Sequence, residues 1–197
     1  MTTHGYARFL IRGATRFDVE IALGAIMTAD GYATFDAGRI PPGYPAEPRE
    51  FDRWMTAGPD DAGTTTLIAV DVRRAFERSN ALAAALPCAT IAALVRPVDE
   101  PLRIKVYRDG ALFLKVGEDP DEELFYKPLV ADVPAVDAFL VAWGTGGCKD
   151  ASAATVARCL GGVGNDASFQ DAVRGVPATP VVLHTFISQR SRLYLEA

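Results

Sequence analysis

Disulfide chemistry is the first thing this chain lacks. Its 197 residues hold three cysteines, Cys88, Cys148 and Cys159, an odd number without a CxxC pair. Histidine is equally sparse, with two residues, His4 and His184, far apart in the sequence. A zinc site draws cysteine and histidine ligands from short, repeated spacings, so neither a metal nor a disulfide framework is expected. Three unpaired thiols fit a reducing cytosol, and the expected location is cytoplasmic, in a bacterium.

Positive charge is also short. Twenty Lys and Arg face 25 Asp and Glu, a net charge of −5. A general nucleic-acid binder releases counterions through a cationic face, so no nucleic-acid partner is expected. Long apolar runs are missing as well. The most apolar segment, ALAAALPCATIAALV at 81–95, is broken by Pro87 and falls short of the roughly 20 residues a membrane helix needs. The opening MTTHGYARFL has no charged region followed by a long apolar one, so no membrane partner and no secretory signal are expected.

What is present is the composition of a globular protein, 49% hydrophobic and 23% charged. The length suits one large or two small domains. Four prolines in IPPGYPAEPRE at 40–50 mark a connector. The expected division is an N-terminal strand–helix unit over 1–50 and a main body over 51–197, or one continuous domain over 1–197.

The pattern along the chain is mixed. YARFLIR at 6–12 reads as a strand. Thr15, with Asp18 three residues on, starts a helix that Gly31 ends, and Phe17, Ile21 and Ala25 then share a face. A strand over FDVEIAL competes, because Val19, Ile21 and Leu23 alternate with other residues. TTLIAVDV at 65–72 reads as a strand, RRAFERSNALAAAL at 73–86 as a helix, and CATIAALV at 88–95 as a buried strand. LRIKVYRDGALFLKV at 102–116 places Asp109-Gly110 between two alternating runs, a tight-hairpin signature. ELFYK at 123–127 offers a third strand beside it. Asp132 and Pro134 open a helix over PAVDAFLVAW, DASAATVARCL at 150–160 makes another with Asp150 as its cap, and SFQDAVR a short one. TPVVLHTFI at 179–187 and SRLYLE at 191–196 read as closing strands. The expected class is α+β: a mainly antiparallel sheet with a central hairpin at about 102–117 and helices packed on one side, the C-terminal part more helical.

The chemical motifs are incomplete. FLVAWGTGGCKDASAATVARCL at 139–160 has the order of a phosphate-binding loop, an apolar run, then glycines with a lysine, then a helix. That loop needs GxxxxGK followed by Ser or Thr. Here Cys148 stands where glycine should precede Lys149, and Asp150 puts a carboxylate in the hydroxyl position. The dinucleotide fingerprint GxGxxG fails too, because Lys149 occupies its third glycine. A helix stop at Gly144 followed by a helix start explains the same residues. What survives is a small-anion site at Gly146, Gly147 and Lys149, with no cofactor implied. The acidic run GEDPDEE at 117–123 lacks EF-hand spacing. Its carboxylates Glu118, Asp119, Asp121, Glu122 and Glu123 instead form a partner-binding patch.

His184 sits in an apolar strand, Ser188 and Ser191 lack a GxSxG elbow, and Cys148 or Cys159 could meet His184 only through the fold. Asp18 and Glu20 face together only if 17–23 is a strand. No catalytic constellation emerges. The expected function is a non-catalytic protein-binding module with an acidic surface, of immunity-like or antitoxin-like type, for a basic partner. The alternative is a small-molecule, nucleotide or anion-binding enzyme using the loop at 144–149. Oligomeric state is open.

Overall fold

The computed structural model describes residues 5–35, 51–69, 72, 74–97, 100–119, 127–128, 133–146, 152–161 and 181–189. The elements run β1 Tyr6–Arg12, α1 Arg16–Ala29, β2 Tyr32–Thr34, β3 Phe51–Ala57, β4 Thr64–Ala69, α2 Ala75–Ala85 and β5 Thr90–Arg96. They continue with β6 Arg103–Arg108, β7 Ala111–Val116, β8 Glu118–Asp119, β9 Lys127–Pro128, α3 Val133–Ala142, α4 Ala153–Cys159 and β10 Val181–Ser188.

Eight strands form one sheet in the order β2-β10-β3-β4-β1-β5-β6-β7. Its ladders are antiparallel, so the class is α+β as the sequence suggested. The central hairpin is β6–β7. Asp109 and Gly110 both take positive φ, 52° and 73°, which is what a type I′ turn between twisted strands requires. Gly117 ends the hairpin at φ 109°, where a Cβ would sit 2.7 Å from the Leu102 carbonyl oxygen. β10 does not close an edge; it lies between β2 and β3. The short strand β9 pairs with β8 in a separate two-stranded ladder, not with the hairpin. Residues 123–126, the SFQDAVR segment and SRLYLE at 191–196 lie outside the described residues.

Side chains alternate across a strand, and β1 shows the result. Ala7, Phe9 and Ile11 enter one apolar cluster with Val19, Leu23 and Met27 of α1, Leu82 and Ala83 of α2, and Trp54 of β3. Tyr6 and Leu10 enter a second cluster with Val136, Phe139 and Leu140 of α3 and Val156 and Ala157 of α4. The helices α1 and α2 therefore share one face, while α3 and α4 cover the opposite face where β1, β5, β6 and β7 lie. No described helix is long and apolar enough to cross a membrane.

Residues 17–23 are helix, and the start follows the expected chemistry. Thr15 accepts from the Asp18 N–H while Asp18 Oδ2 accepts from the Thr15 N–H, a reciprocal capping box. These bonds from Thr15 hold the exposed Asp18 carboxyl below its ordinary range. The face differs from expectation. Phe17, Ile21 and Ala25 do share one, but it is the outer face; Val19, Ala22, Leu23 and Met27 point inward. Val19, Leu23 and Met27 recur every four residues, with Ala22 and Ile26 beside them. They form a longer stripe than Phe17 and Ile21, and the sheet can cover only one side of the helix.

An ion network joins the first helical layer to the sheet. Arg78 of α2, 3% exposed, pairs with the buried Asp52 carboxylate of β3 and lies 3.6 Å from Asp30 Oδ2 at the end of α1. Arg74 reaches the same Asp30 carboxylate at 3.1 Å. The Arg78 guanidinium also stacks on Trp54, 5.4 Å from the ring centre. Removing one member of a buried pair strands the other charge away from water. Asp52→Ala is therefore expected to cost about 3–5 kcal/mol, whereas Asp52→Leu combined with Arg78→Met recovers most of it. Urea denaturation of both variants checks this, and a loss under about 1 kcal/mol for Asp52→Ala would contradict a buried pair.

Candidate functional site

The glycine-rich link behaves as a helix stop. Gly144 takes φ 76°, the Thr145 N–H donates to the Leu140 carbonyl, and the Gly144 N–H donates to the Val141 carbonyl. This is a Schellman ending of α3. Gly146 follows at φ 78°, while Gly147, Cys148, Lys149 and Asp150 lie outside the described residues. The next helix starts later than expected. Ser152, not Asp150, is the cap of α4, its hydroxyl accepting from the Thr155 N–H at 3.3 Å. Ser152 stands directly before the first helical residue, the position from which a side chain reaches the free amides.

The acidic segment begins as β8, where Glu118 pairs with Pro128 and Asp119 with Lys127; Asp121, Glu122 and Glu123 lie outside the described residues. Cys159 and His184 do not meet. Cys159 packs against the second apolar cluster, whereas His184 is on the face of β10 that carries Phe186 of the first. No group of three metal-ligating side chains occurs among the described residues.

The structure instead assembles a polar cluster where α1 crosses β3 and β10. Thr56 stands two residues beyond Trp54 on the inner face of β3, and its residue is 0% exposed. Its hydroxyl donates to Glu20 Oε1 at 2.8 Å and lies 2.9 Å from His184 Nε2. Since the Thr56 proton goes to the carboxylate, the histidine is assigned as donor to Thr56. His184 Nε2 is also 3.5 Å from Glu20 Oε1, and Arg16 Nε reaches the same oxygen at 3.4 Å. Glu20 and His184 keep 22% and 19% of their side chains exposed, so the cluster opens to solvent at its edge.

A hydroxyl, an imidazole and a carboxylate are the ingredients of a nucleophilic triad, but the order here is different. The hydroxyl is the most buried member, its proton is committed to the carboxylate, and no substrate can reach it. The arrangement ties α1 to two strands through one satisfied network. Sequence spacing could not reveal it, because 36 residues separate Glu20 from Thr56 and 128 separate Thr56 from His184.

Beside this cluster the outer row of α1 is apolar. Phe17 is 68% exposed and Ile21 56%. They are four residues apart on a helix, hence neighbours on its surface. Exposed large side chains grouped on a firmly capped helix mark a contact surface more often than isolated ones do. Asp18, next to Phe17, is fully exposed and forms no ion pair among the described residues. No protein-family model, curated protein or solved structure matches the chain.

Thr56→Val keeps the shape but leaves Glu20 and His184 without their shared partner. It is expected to lower stability by about 1–3 kcal/mol, and Glu20→Gln by less, because an amide oxygen still accepts from Thr56. Thermal and urea unfolding check the order, and equal or reversed effects would contradict the bond pattern.

Proposed function

We propose that this chain is a non-catalytic protein-binding module, of immunity-like or antitoxin-like type, that engages a basic partner through the outer face of α1. One observation carries the reading: Phe17 and Ile21 form an exposed apolar pair on a helix whose inner face is already packed into the core. Interfaces typically surround an apolar centre with a polar rim that excludes water. Here the rim is Arg16, Glu20 and His184 on one side and Asp18 on the other.

Charge selects the partner's chemistry. The chain carries a net −5, Arg16 is neutralised by Glu20, and Asp18 presents an unneutralised carboxylate beside Phe17. A partner with a lysine or arginine flanking an apolar pocket complements both features, and the overall field speeds their encounter. The acidic segment starting at Glu118 is a second negative feature. It follows β7 in the chain, whereas α1 packs near β2 and β3 toward the other edge of the sheet.

The test is affinity capture with wild type and with a Phe17→Asp, Ile21→Asp variant, after confirming that both unfold alike. The expected outcome is a basic protein held by wild type and lost by the variant, with binding weakened further as salt rises. Identical captures by the two forms would refute the reading. So would a concentration-dependent dimer abolished by the same substitutions, because the occupant would then be a second copy of this chain.

A further inference from the structure

A separate feature lies on the opposite face, at the end of the sheet beneath the C-terminus of α3. Arg12, Thr90, Arg108, Phe139, Ala142 and Trp143 line a cavity of about 90 Å³. The ladders explain why it exists. Arg12 of β1 pairs with Thr90 of β5, and Ile91 pairs with Tyr107, which brings Thr90 level with Arg108 of β6. Two long cationic side chains therefore stand two strands apart, about 10 Å at the backbone. The short Thr90 between them forms a floor and leaves the space above it open.

The polar groups are positioned but only partly used. Arg12 donates from Nε to Thr64 Oγ1 at 2.9 Å and from Nη1 to the Trp143 carbonyl at 2.8 Å. It also stacks on the Trp143 ring at 4.2 Å, which fixes the plane of its guanidinium. Its Nη2 makes no hydrogen bond among the described residues. Arg108 lies over the Phe113 ring at 4.6 Å and has neither a hydrogen bond nor an ion pair among the described residues. The Thr90 hydroxyl is likewise without a hydrogen-bond partner there. No carboxylate lines the cavity among the described residues. The carbonyl end of α3 supplies about half a negative charge, against two full positive ones. The balance leaves the cavity lining cationic.

We infer that this cavity binds a single oxyanion group of phosphate size, held between Arg108 and the free nitrogen of Arg12 over the Thr90 hydroxyl. Planar guanidinium forks match the paired oxygens of such a group. Size limits the ligand. The space takes several water molecules but falls far below the roughly 300–1,000 Å³ of a pocket that engulfs a whole drug-sized molecule. A nucleotide can insert at most one phosphate, and its base and sugar stay outside. The group is supplied either by free phosphate or by the phosphate end of a small monoester.

The site does not depend on the α1 surface, so its test is separate. Thermal unfolding is followed while inorganic phosphate or glycerol phosphate is added at constant ionic strength, with chloride replaced. Wild type, Arg108→Gln and the exposed control Arg158→Gln are compared. Arg108 makes no hydrogen bond or ion pair among the described residues, so its variant is expected to melt close to wild type without phosphate. The expected result is a saturable upward shift in wild type and in Arg158→Gln, with affinity at least about tenfold weaker in Arg108→Gln. Tighter binding of phosphate identifies the free anion as the ligand, and tighter binding of the ester identifies the monoester. Either preference supports the site. A shift that never saturates and is equal in all three proteins is the general effect of an excluded salt and overturns the inference. So does a saturable shift that Arg108→Gln leaves intact.

Discussion

Everything in this molecule is arranged around a strand buried on both sides. β1 lies between β4 and β5 in the middle of the sheet, yet it carries two arginines, Arg8 and Arg12. A buried guanidinium without partners is among the costliest groups a protein can hold. Both are anchored in the same way, each by one terminal nitrogen. Arg8 Nη1 donates to the Gly161 carbonyl at 3.0 Å, just past the end of α4, and Arg12 Nη1 donates to the Trp143 carbonyl at the end of α3. The last carbonyls of a helix need donors, and its C-terminal dipole favours a cation. One central strand thus fixes the ends of both helices of the second layer. Burial pushes the Arg8 pKa down, the electrostatic cost that these contacts must offset.

The first layer is held differently, by apolar packing of α1 and α2 and by the Arg78–Asp52–Asp30 network over Trp54. Once Val19, Leu23 and Met27 have filled the space between α1 and the sheet, Phe17 and Ile21 have nowhere to go but outward. The Glu20–Thr56–His184 cluster locks the rotation of the helix in that setting. The core requirements of one face therefore create the exposed pair on the other. On the second layer, the same β1 arginine that caps α3 shapes the cationic cavity. Both candidate surfaces are by-products of how the sheet is covered.

Local chemistry was the most legible part of the sequence. The Asp109-Gly110 turn, the Thr15–Asp18 cap, Gly31 and Gly144 each act within a few residues, where spacing alone decides the geometry. The strand identity of YARFLIR, CATIAALV and VVLHTFI followed from branched and aromatic residues. What could not be read was anything that depends on a distant partner. FDRWMTA became β3 only because β4 and β10 flank it, and α1 turned its shorter apolar row outward because the sheet rewards the longer one. Arg12, Thr90 and Arg108 carry no motif; two ladders bring them together. The Asp150 cap failed by two residues because Ser152 supplies an equally good acceptor closer to the helix start.

The central claim is that α1 separates fold from function, its inner row holding the core and its outer row left for a partner. Equilibrium unfolding of a Phe17→Ser, Ile21→Ser double variant beside Leu23→Ala measures this separation directly. The expected result is a change within about 0.5 kcal/mol for the outer pair and a loss of about 2–5 kcal/mol for the inner leucine. A loss of several kcal/mol from the outer pair would show that Phe17 and Ile21 belong to the core, and the proposed contact surface would fall with it.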